Sequence, residues 1–460
     1  MSDLVTLLEI GTPLAGTAGG LGYARVKAPA VYWSLVGMPI VRTRFAFTYR
    51  TTMDVCGLTV APSRLRAFLS RTVTRSREAQ PVPPKVRRVR STSTGLRVTL
   101  RLPAGMEPAD IAAASNRLRH AWGVHAVHVV EGKPGTVELR MTGYDVLRRV
   151  KMPRRVSRRP MVIPVARRED GTAFVRDYRA IPHGLTLGAN QSGKSMYQRN
   201  LIKGLAEHRI ALAGIDCKRG VEQAPYAPRL SALATNPEEA SGLVDALVGL
   251  MDDRFDLLKE HQGLTASTPD AEITSDIWGL PADKRPVPIV VLIDEVAELF
   301  MVATKKDEER RDRMVTQLIR MAQLSRAVGI YLEICGQRFG SELGRGATML
   351  RAQLTGRVVH RVNDKQTAEM GLGDIAPEAV SVATTIPPDR PGVAVAGDTS
   401  GGWSRIRTPQ ISISEVAAVC RQFAHLTPDV PAIAAWRPIA PAISNPAEGP
   451  SLVKPKPVTE

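Results

Sequence analysis

Gly188-Ala-Asn-Gln-Ser-Gly193-Lys194-Ser195 places two glycines, a lysine and a hydroxyl at the spacing of a nucleotide-phosphate cradle. Glycines let backbone N–H groups approach phosphate oxygens, the lysine reaches the outer phosphates as a point charge, and the following hydroxyl can ligate Mg2+. The expected ATP-binding residues are therefore Gly188, Ala189, Asn190, Gln191, Ser192, Gly193, Lys194, Ser195 and Met196, with Ser195 also a metal ligand. Farther along, Ile289-Val-Val-Leu-Ile293 runs straight into Asp294-Glu295. An apolar strand ending in two carboxylates beside such a loop suits Asp294 to hold Mg2+ and Glu295 to orient an attacking water as base. The competing reading is that the two acids cap the next helix. Gln337, at the end of Ile330–Gln337, is expected either to sense the γ-phosphate or to satisfy loop backbone. Phosphoryl transfer gains from an arginine near the developing charge, often from a neighbouring subunit. Arg326 and Arg357 are the candidates by chain order, and each also reads as an ordinary surface arginine.

Such side chains converge only if strands and helices carry them to one edge. From about residue 161, strands alternate with helices, which predicts an α/β fold with a mainly parallel sheet covered on both faces. The apolar runs Ile210–Asp216, Val287–Asp294, Ile330–Gln337 and Thr355–Val362 are its expected strands. A helix is predicted from Asn236 as cap, Pro237 in the first turn, Glu238 and Glu239 near its positive end, and Leu243, Val244, Leu247, Val248 and Met251 on one face. A second precedes the strand at Ile330. This α/β region is expected to span 161–425, followed by a Pro/Ala-rich tail, 426–460, of disordered composition.

Upstream, Leu96, Val98, Leu100 and Leu102 alternate with polar residues, the period of a half-buried strand. With the helical composition of Glu107–Trp122 and two short strands around Gly132–Gly135, they predict a small α+β domain over 92–150. His125 and His128 alternate on one strand. Exposed strand histidines suit them better than a zinc pair, since no third ligand is near in sequence. Residues 1–75 are basic and apolar without assignable fold, 76–91 reads as a Pro/Arg-rich linker, and 151–160 as a basic linker.

The charge is one-sided. Residues 1–160 hold 27 Lys+Arg against 9 Asp+Glu, a balance of +18, and the remaining 300 hold 35 against 36, a balance of −1. Basic runs at 71–90 and 148–160 would attract a polyanion, DNA or an anionic leaflet, although a solvated linker has the same composition. The four dispersed cysteines indicate neither a metal cluster nor a disulfide framework, which fits a reducing compartment. Leu4–Ala24 and Ala28–Val41 are too broken by glycine, proline and Glu9 to span a bilayer, and no signal-peptide pattern is present. The expected location is the cytoplasm, either free or peripheral at the inner face of the membrane.

The ordered set LGANQSGKS, GIDCKRG, LMDDRFDLL, IVVLIDEVAEL, LIRMAQLSRAVGIYLEICGQRF and LRAQLTGRVVHRV resembles the FtsK/SpoIIIE DNA translocases, especially the Tra-type transfer proteins of actinomycete plasmids and integrative conjugative elements. The resemblance implies a RecA-like P-loop ATPase, fuelled by ATP with Mg2+, that forms a homo-hexameric ring and pumps double-stranded DNA during conjugation. It implies that Asp216 and Lys218 lie on the strand edge near the nucleotide, that Arg345 and Arg351 face the DNA backbone, and that membrane or mobile-element accessory proteins are partners. It also leaves a chromosome-segregation pump and a protein-secretion ATPase as alternatives. A regulator using ATP only as a switch is disfavoured by Glu295, which hydrolysis alone needs.

Overall fold

The computed structural model describes residues 22–61, 81–148, 150, 159–262, 274–375 and 377–438. The chain divides into two units: Met1–Lys151 with Arg167–Ala173, and Met152–Ala166 with Phe174–Glu460.

In the first unit, a π-helical turn at Trp33–Gly37 leads into helix α1 (Met38–Val55), which buries Val41, Phe45, Tyr49 and Met53. Strands β1 (Lys85–Ser91) and β2 (Gly95–Arg101), short helices α2 (Pro108–Ala113) and α3 (Ser115–Trp122), and strands β3 (Ala126–Glu131) and β4 (Thr136–Thr142) follow. The sheet order is β1-β2-β4-β3, antiparallel throughout. The alternation in β2 does what its period requires, turning Leu96, Val98 and Leu100 into the core. Helix α2 opens on a reciprocal cap between Glu107 and Asp110, and α3 ends on left-handed Gly123.

Three expectations are corrected. The N-terminal region without assignable fold contains α1, whose aromatic side chains complete the small unit's core. Half of the expected linker is strand β1, whose Lys85, Arg87, Arg88 and Arg90 occupy exposed positions on a sheet edge. His125 and His128 are half-buried rather than exposed: His128 Nε2 lies 3.3 Å from Glu169, and His125 Nε2 lies 3.8 Å from Asp145.

The second unit is built on β5 (Val162–Arg168), β6 (Ala173–Asp177), β7 (Gly184–Leu187), α4 (Lys194–Ala206), β8 (Ala211–Ile215), β9 (Ala232–Ala234), α5 (Pro237–Gln262), β10 (Ile289–Ile293), α6 (Val296–Leu299), α7 (Lys305–Leu324), β11 (Ile330–Gly336), α8 (Ala347–Gln353), β12 (Gly356–His360), α9 (Lys365–Leu372), α10 (Pro377–Thr384), β13 (Val393–Gly397), β14 (Trp403–Arg407) and α11 (Ile413–Gln422). The ten-stranded order is β6-β5-β14-β13-β12-β7-β11-β10-β8-β9. Strands β12, β7, β11, β10, β8 and β9 run parallel, while β13 and β14 are antiparallel.

Every residue of β8, β10 and β11 is buried, because helices cover both faces. Ile289, Val291 and Ile293 pack in one core with Leu243, Val244 and Leu247 of α5 and Met314 and Leu318 of α7. Val290 and Leu292 pack in the other, with Leu201, Ile202 and Leu205 of α4 and Val416 of α11. The tail expectation is corrected in part. Val430 and Ile433 are buried in the first of these cores, and Ser231 Oγ donates to Pro428 O at 3.1 Å. Residues 439–460 lie outside the described residues, as do 1–21, 62–80 and 151–158.

Candidate nucleotide site

Parallel pairing of β8, β10, β11 and β7 delivers the ends of all four strands to one edge, the usual place for a ligand on an open α/β sheet. The loop after β7 is braced from several sides. Gly188 N donates to Gly336 O at 3.3 Å, Ala189 N to Arg361 O at 2.8 Å, and Gly392 N to Ser192 O at 2.8 Å. Its turn needs left-handed backbone at Gln191 (φ 59°) and Gly193 (φ 109°). A Cβ at Gly188 would stand 2.6 Å from Ser192 Oγ and 2.7 Å from the Cβ of His360, so glycine is required there by contact. Burial holds the His360 imidazole down at about 3, so the ring beneath the loop is neutral.

Helix α4 starts at Lys194, with its free backbone N–H groups and positive dipole end toward the loop. The Lys194 ammonium donates to the carbonyls of Gly188 and Ala189. Burial lowers its pKa, with Glu295 opposing. The loop residues Ala189–Met196 enclose, with Lys218, Asp294, Glu295 and Cys335, a cavity of about 240 Å³. Asp294 and Glu295 are only 8% and 7% exposed. Asp294 Oδ2 accepts from Lys218 Nζ at 3.0 Å, and Glu295 Oε1 accepts from the backbone N–H of Gln337 at 3.2 Å. Glu295 stands at the N-cap position of α6 but its side chain makes no capping bond, so helix capping does not account for it. Gly188 is not among the residues lining this cavity, and its carbonyl accepts from the Lys194 ammonium.

The chain is 58% identical over 395 residues to the transfer protein TraSA of Streptomyces ambofaciens, a match covering 86% of this chain and 95% of the relative. The chain belongs to the FtsK/SpoIIIE family of actinomycete transfer proteins. Residues 146–341 match the FtsK/SpoIIIE family model, and residues 19–143 match the actinomycete conjugal transfer protein N-terminal domain. A sporulation regulatory protein of Streptomyces azureus is 66% identical over 282 residues, 61% of this chain and 89% of that protein. Among solved structures, the pCW3 conjugation coupling protein TcpA in a monomer form with ATPγS shares the fold, with a TM-score of 0.53 at 17% identity over 83% of this chain and 99% of that one.

As an FtsK/SpoIIIE member with this loop, lysine and carboxylate pair, the protein is a nucleotide-binding P-loop ATPase. Other residues singled out in the sequence scatter. Only the backbone of Gln337 reaches Glu295, and its side chain is exposed. Arg326 lies just before β11 and so at the opposite edge of the sheet from its own phosphate loop, where it lines a different cavity with Arg179, Trp278 and Tyr331. Arg357 is buried, donating to the carbonyls of Leu354, Met370, Gly371 and Arg351, and burial pushes its pKa down to about 10. A guanidinium so enclosed cannot reach a neighbouring subunit, which removes Arg357 from the candidates. Arg345 is exposed. Arg351 turns inward and donates to Phe339 O at 2.8 Å, so that guanidinium braces its own loop.

Sequence reasoning missed Cys335, a thiol lining the cavity whose pKa burial pushes well up. It also missed the work of Asp216. Fully buried, this carboxylate accepts from the N–H groups of Lys218, Glu222 and Gln223 at 3.2, 2.9 and 3.1 Å, so it shapes the turn that presents Lys218. A carboxylate followed closely by a basic residue at a strand end was the available signal. Among the described residues, no helix is long and apolar enough to cross a membrane.

Proposed function

We propose that the protein is an ATP-driven motor that moves double-stranded DNA during conjugative transfer of a plasmid or integrative element. The observation that carries this is the convergence of Lys194, Ser195, Asp294 and Glu295 on one cavity in a chain spanning 95% of a transfer protein. In this reading the N–H groups at the start of α4 and the Lys194 ammonium bind the outer phosphates. Ser195 and Asp294 offer hard oxygen donors lining the same cavity, a set that suits Mg2+. Bound there, Mg2+ would neutralise charge on the phosphate oxygens. Glu295, held by the Gln337 amide, accepts a proton from the water that attacks the γ-phosphate, and the Gln337 side chain senses the phosphate from the strand end.

The wider assembly belongs to the same proposal. In a homo-hexameric ring, the exposed Arg326 faces away from its own site and is the arginine supplied to a neighbour. Exposed Arg345 contacts DNA phosphates, a contact that positions duplex without reading sequence, while Arg351 keeps that loop in shape. A peripheral position at an anionic membrane face is part of this reading, supported by α1, which exposes Ile40 and Phe47 and carries Arg42, Arg44 and Arg50, the composition of an interfacial helix. Accessory proteins of the mobile element would meet it there. The near-neutral balance of residues 161–460 suits a motor that must release phosphates as readily as it grips them.

The test is displacement of a triplex-forming strand from linear duplex DNA with ATP and Mg2+. Only a moving motor removes the strand, so displacement lost in Lys194→Ala is the expected result. ATP turnover indifferent to duplex DNA but stimulated by a secreted protein would overturn the DNA reading.

A further inference from the structure

Asp294 ends a strand buried along its whole length, and a carboxylate there needs a counter-charge. The chain provides one from 76 residues away in sequence: Lys218 Nζ stands 3.0 Å from Asp294 Oδ2. The two ends of Lys218 are held differently. Its backbone belongs to the turn fixed by buried Asp216, whereas its side chain is 48% exposed and borders the cavity shared by Lys194 and Ser195. The ammonium is therefore hinged at a rigid point and free to swing through solvent. Burial disfavours the charged ammonium, but Asp294, by charge and by hydrogen bond, outweighs that and raises the lysine's pKa.

Lys218 holds one of the two oxygens through which Asp294 would serve a divalent cation. Two cations cannot crowd one carboxylate that is itself largely removed from solvent without strong mutual repulsion. We propose that Lys218 is an exchangeable counter-ion for Asp294, competing with the divalent cation for that carboxylate and leaving it when nucleotide and cation bind together. The arrangement keeps Asp294 paired with a cation and correctly aimed at every stage, and it sets a threshold that a divalent cation alone must overcome. This rests on Asp294 and Ser195 being the metal-holding pair proposed above.

The experiment is a Mg2+ titration of the full chain, read in two ways: thermal melting with Mg2+ alone, and binding of a fluorescent non-hydrolysable ATP analogue. Lys218→Met and Lys218→Gln keep the stem and remove the charge. Because that stem is half exposed, both should fold. Each is expected to lower the half-saturating Mg2+ concentration roughly three- to tenfold, while Lys218→Arg stays near the parent protein. The neutral variants should also gain more melting temperature from Mg2+ alone than the parent does. An unchanged or raised Mg2+ midpoint in both neutral variants overturns the competition. Asp294→Asn separates this failure from that of the underlying reading. If analogue binding by the parent depends on Mg2+ and Asp294→Asn removes that dependence, the metal-holding pair stands whatever the Lys218 variants do. If the parent shows no such dependence, the pair and the competition fall together.

Discussion

In the first unit the core is apolar and aromatic, with the Phe45 ring centroid 5.0 Å from Trp122 and 5.1 Å from Tyr49, and the one charged side chain buried among its described residues is Glu169, beside His128. The motor unit instead buries Arg176, Asp216, Arg229, Arg254, Glu333 and Arg357 with His183 and His360. Residues 1–160 carry the chain's net positive charge, with Lys85, Arg87, Arg88 and Arg90 exposed among the described residues, and the remainder, near neutral, carries charges inside. A surface charge acts on a partner through solvent and is screened by salt. A buried charge must be paired or hydrogen-bonded, and that requirement fixes its direction. Such fixed groups can aim a chemical site, whereas the first unit's arginines can only attract.

Removing a charge from the site should have the largest effect. Lys194→Ala and Glu295→Gln are expected to lower ATP turnover by roughly 100-fold or more, with analogue binding kept only in Glu295→Gln. Steady-state turnover and analogue binding decide it, and a Lys194→Ala protein with normal turnover would end the contrast between aimed and attracting charges.

Stability comes next. Arg176 Nε donates to Glu333 in the motor interior. Glu333→Leu should cost about 3–5 kcal/mol by leaving a buried guanidinium unpaired, and Arg176→Met in the same chain should recover most of it. In the first unit Trp122→Ala should cost about 3–5 kcal/mol through a cavity, with no second substitution of charge able to rescue it. Denaturant unfolding of the four proteins measures both.

The pH dependence should also differ between the units. His183 and His360 are held neutral at about 3 in the folded motor, chiefly by burial, against about 6.5 when unfolded. Between those values the unfolded chain binds protons that the folded chain does not. Stability present above pH 6.5 is therefore lost as pH falls toward 3, by up to ~1.4 kcal/mol per pH unit for each histidine. Among its described residues the first unit buries no histidine, so its transition should move less over this range. Melting curves between pH 7.5 and 5, with site-specific probes on each unit, would show one transition shifting faster than the other. The smallest effect is at the surface: Arg345→Ala should raise the DNA concentration for half-maximal ATPase stimulation by roughly threefold and flatten the salt dependence by about one phosphate contact.

The parts of the site that were legible in the sequence are those whose chemistry is local. The phosphate loop writes its glycines, lysine and serine side by side, and the strand into Asp294 is continuous apolar text because both sheet faces are covered. The π-helical turn at Trp33–Gly37 inserts an extra residue that rotates the buried face, so the run into α1 has no single helical period to read. Strand β1 reads as linker because its outward residues are arginines and its partner-facing backbone leaves no mark on composition. The pairing of Lys218 with Asp294 joins residues on separate strand ends, and the inward turn of Arg351 and Arg357 depends on carbonyls that side-chain identity cannot announce.

The two glycines where the phosphate loop meets the start of β13 have one more consequence. A Cβ on Gly193 would run into the backbone of Gly392, whose N–H already donates to Ser192 O. Main chain rests on main chain there, with no side chain to absorb displacement. A shift of the loop would therefore press on the start of β13, which pairs with β14, where half-buried Trp403 lies opposite Gly397. The molecule carries its own optical gauge: the emission of Trp403, isolated by replacing the other four tryptophans with phenylalanine, should follow nucleotide occupancy with no dye attached.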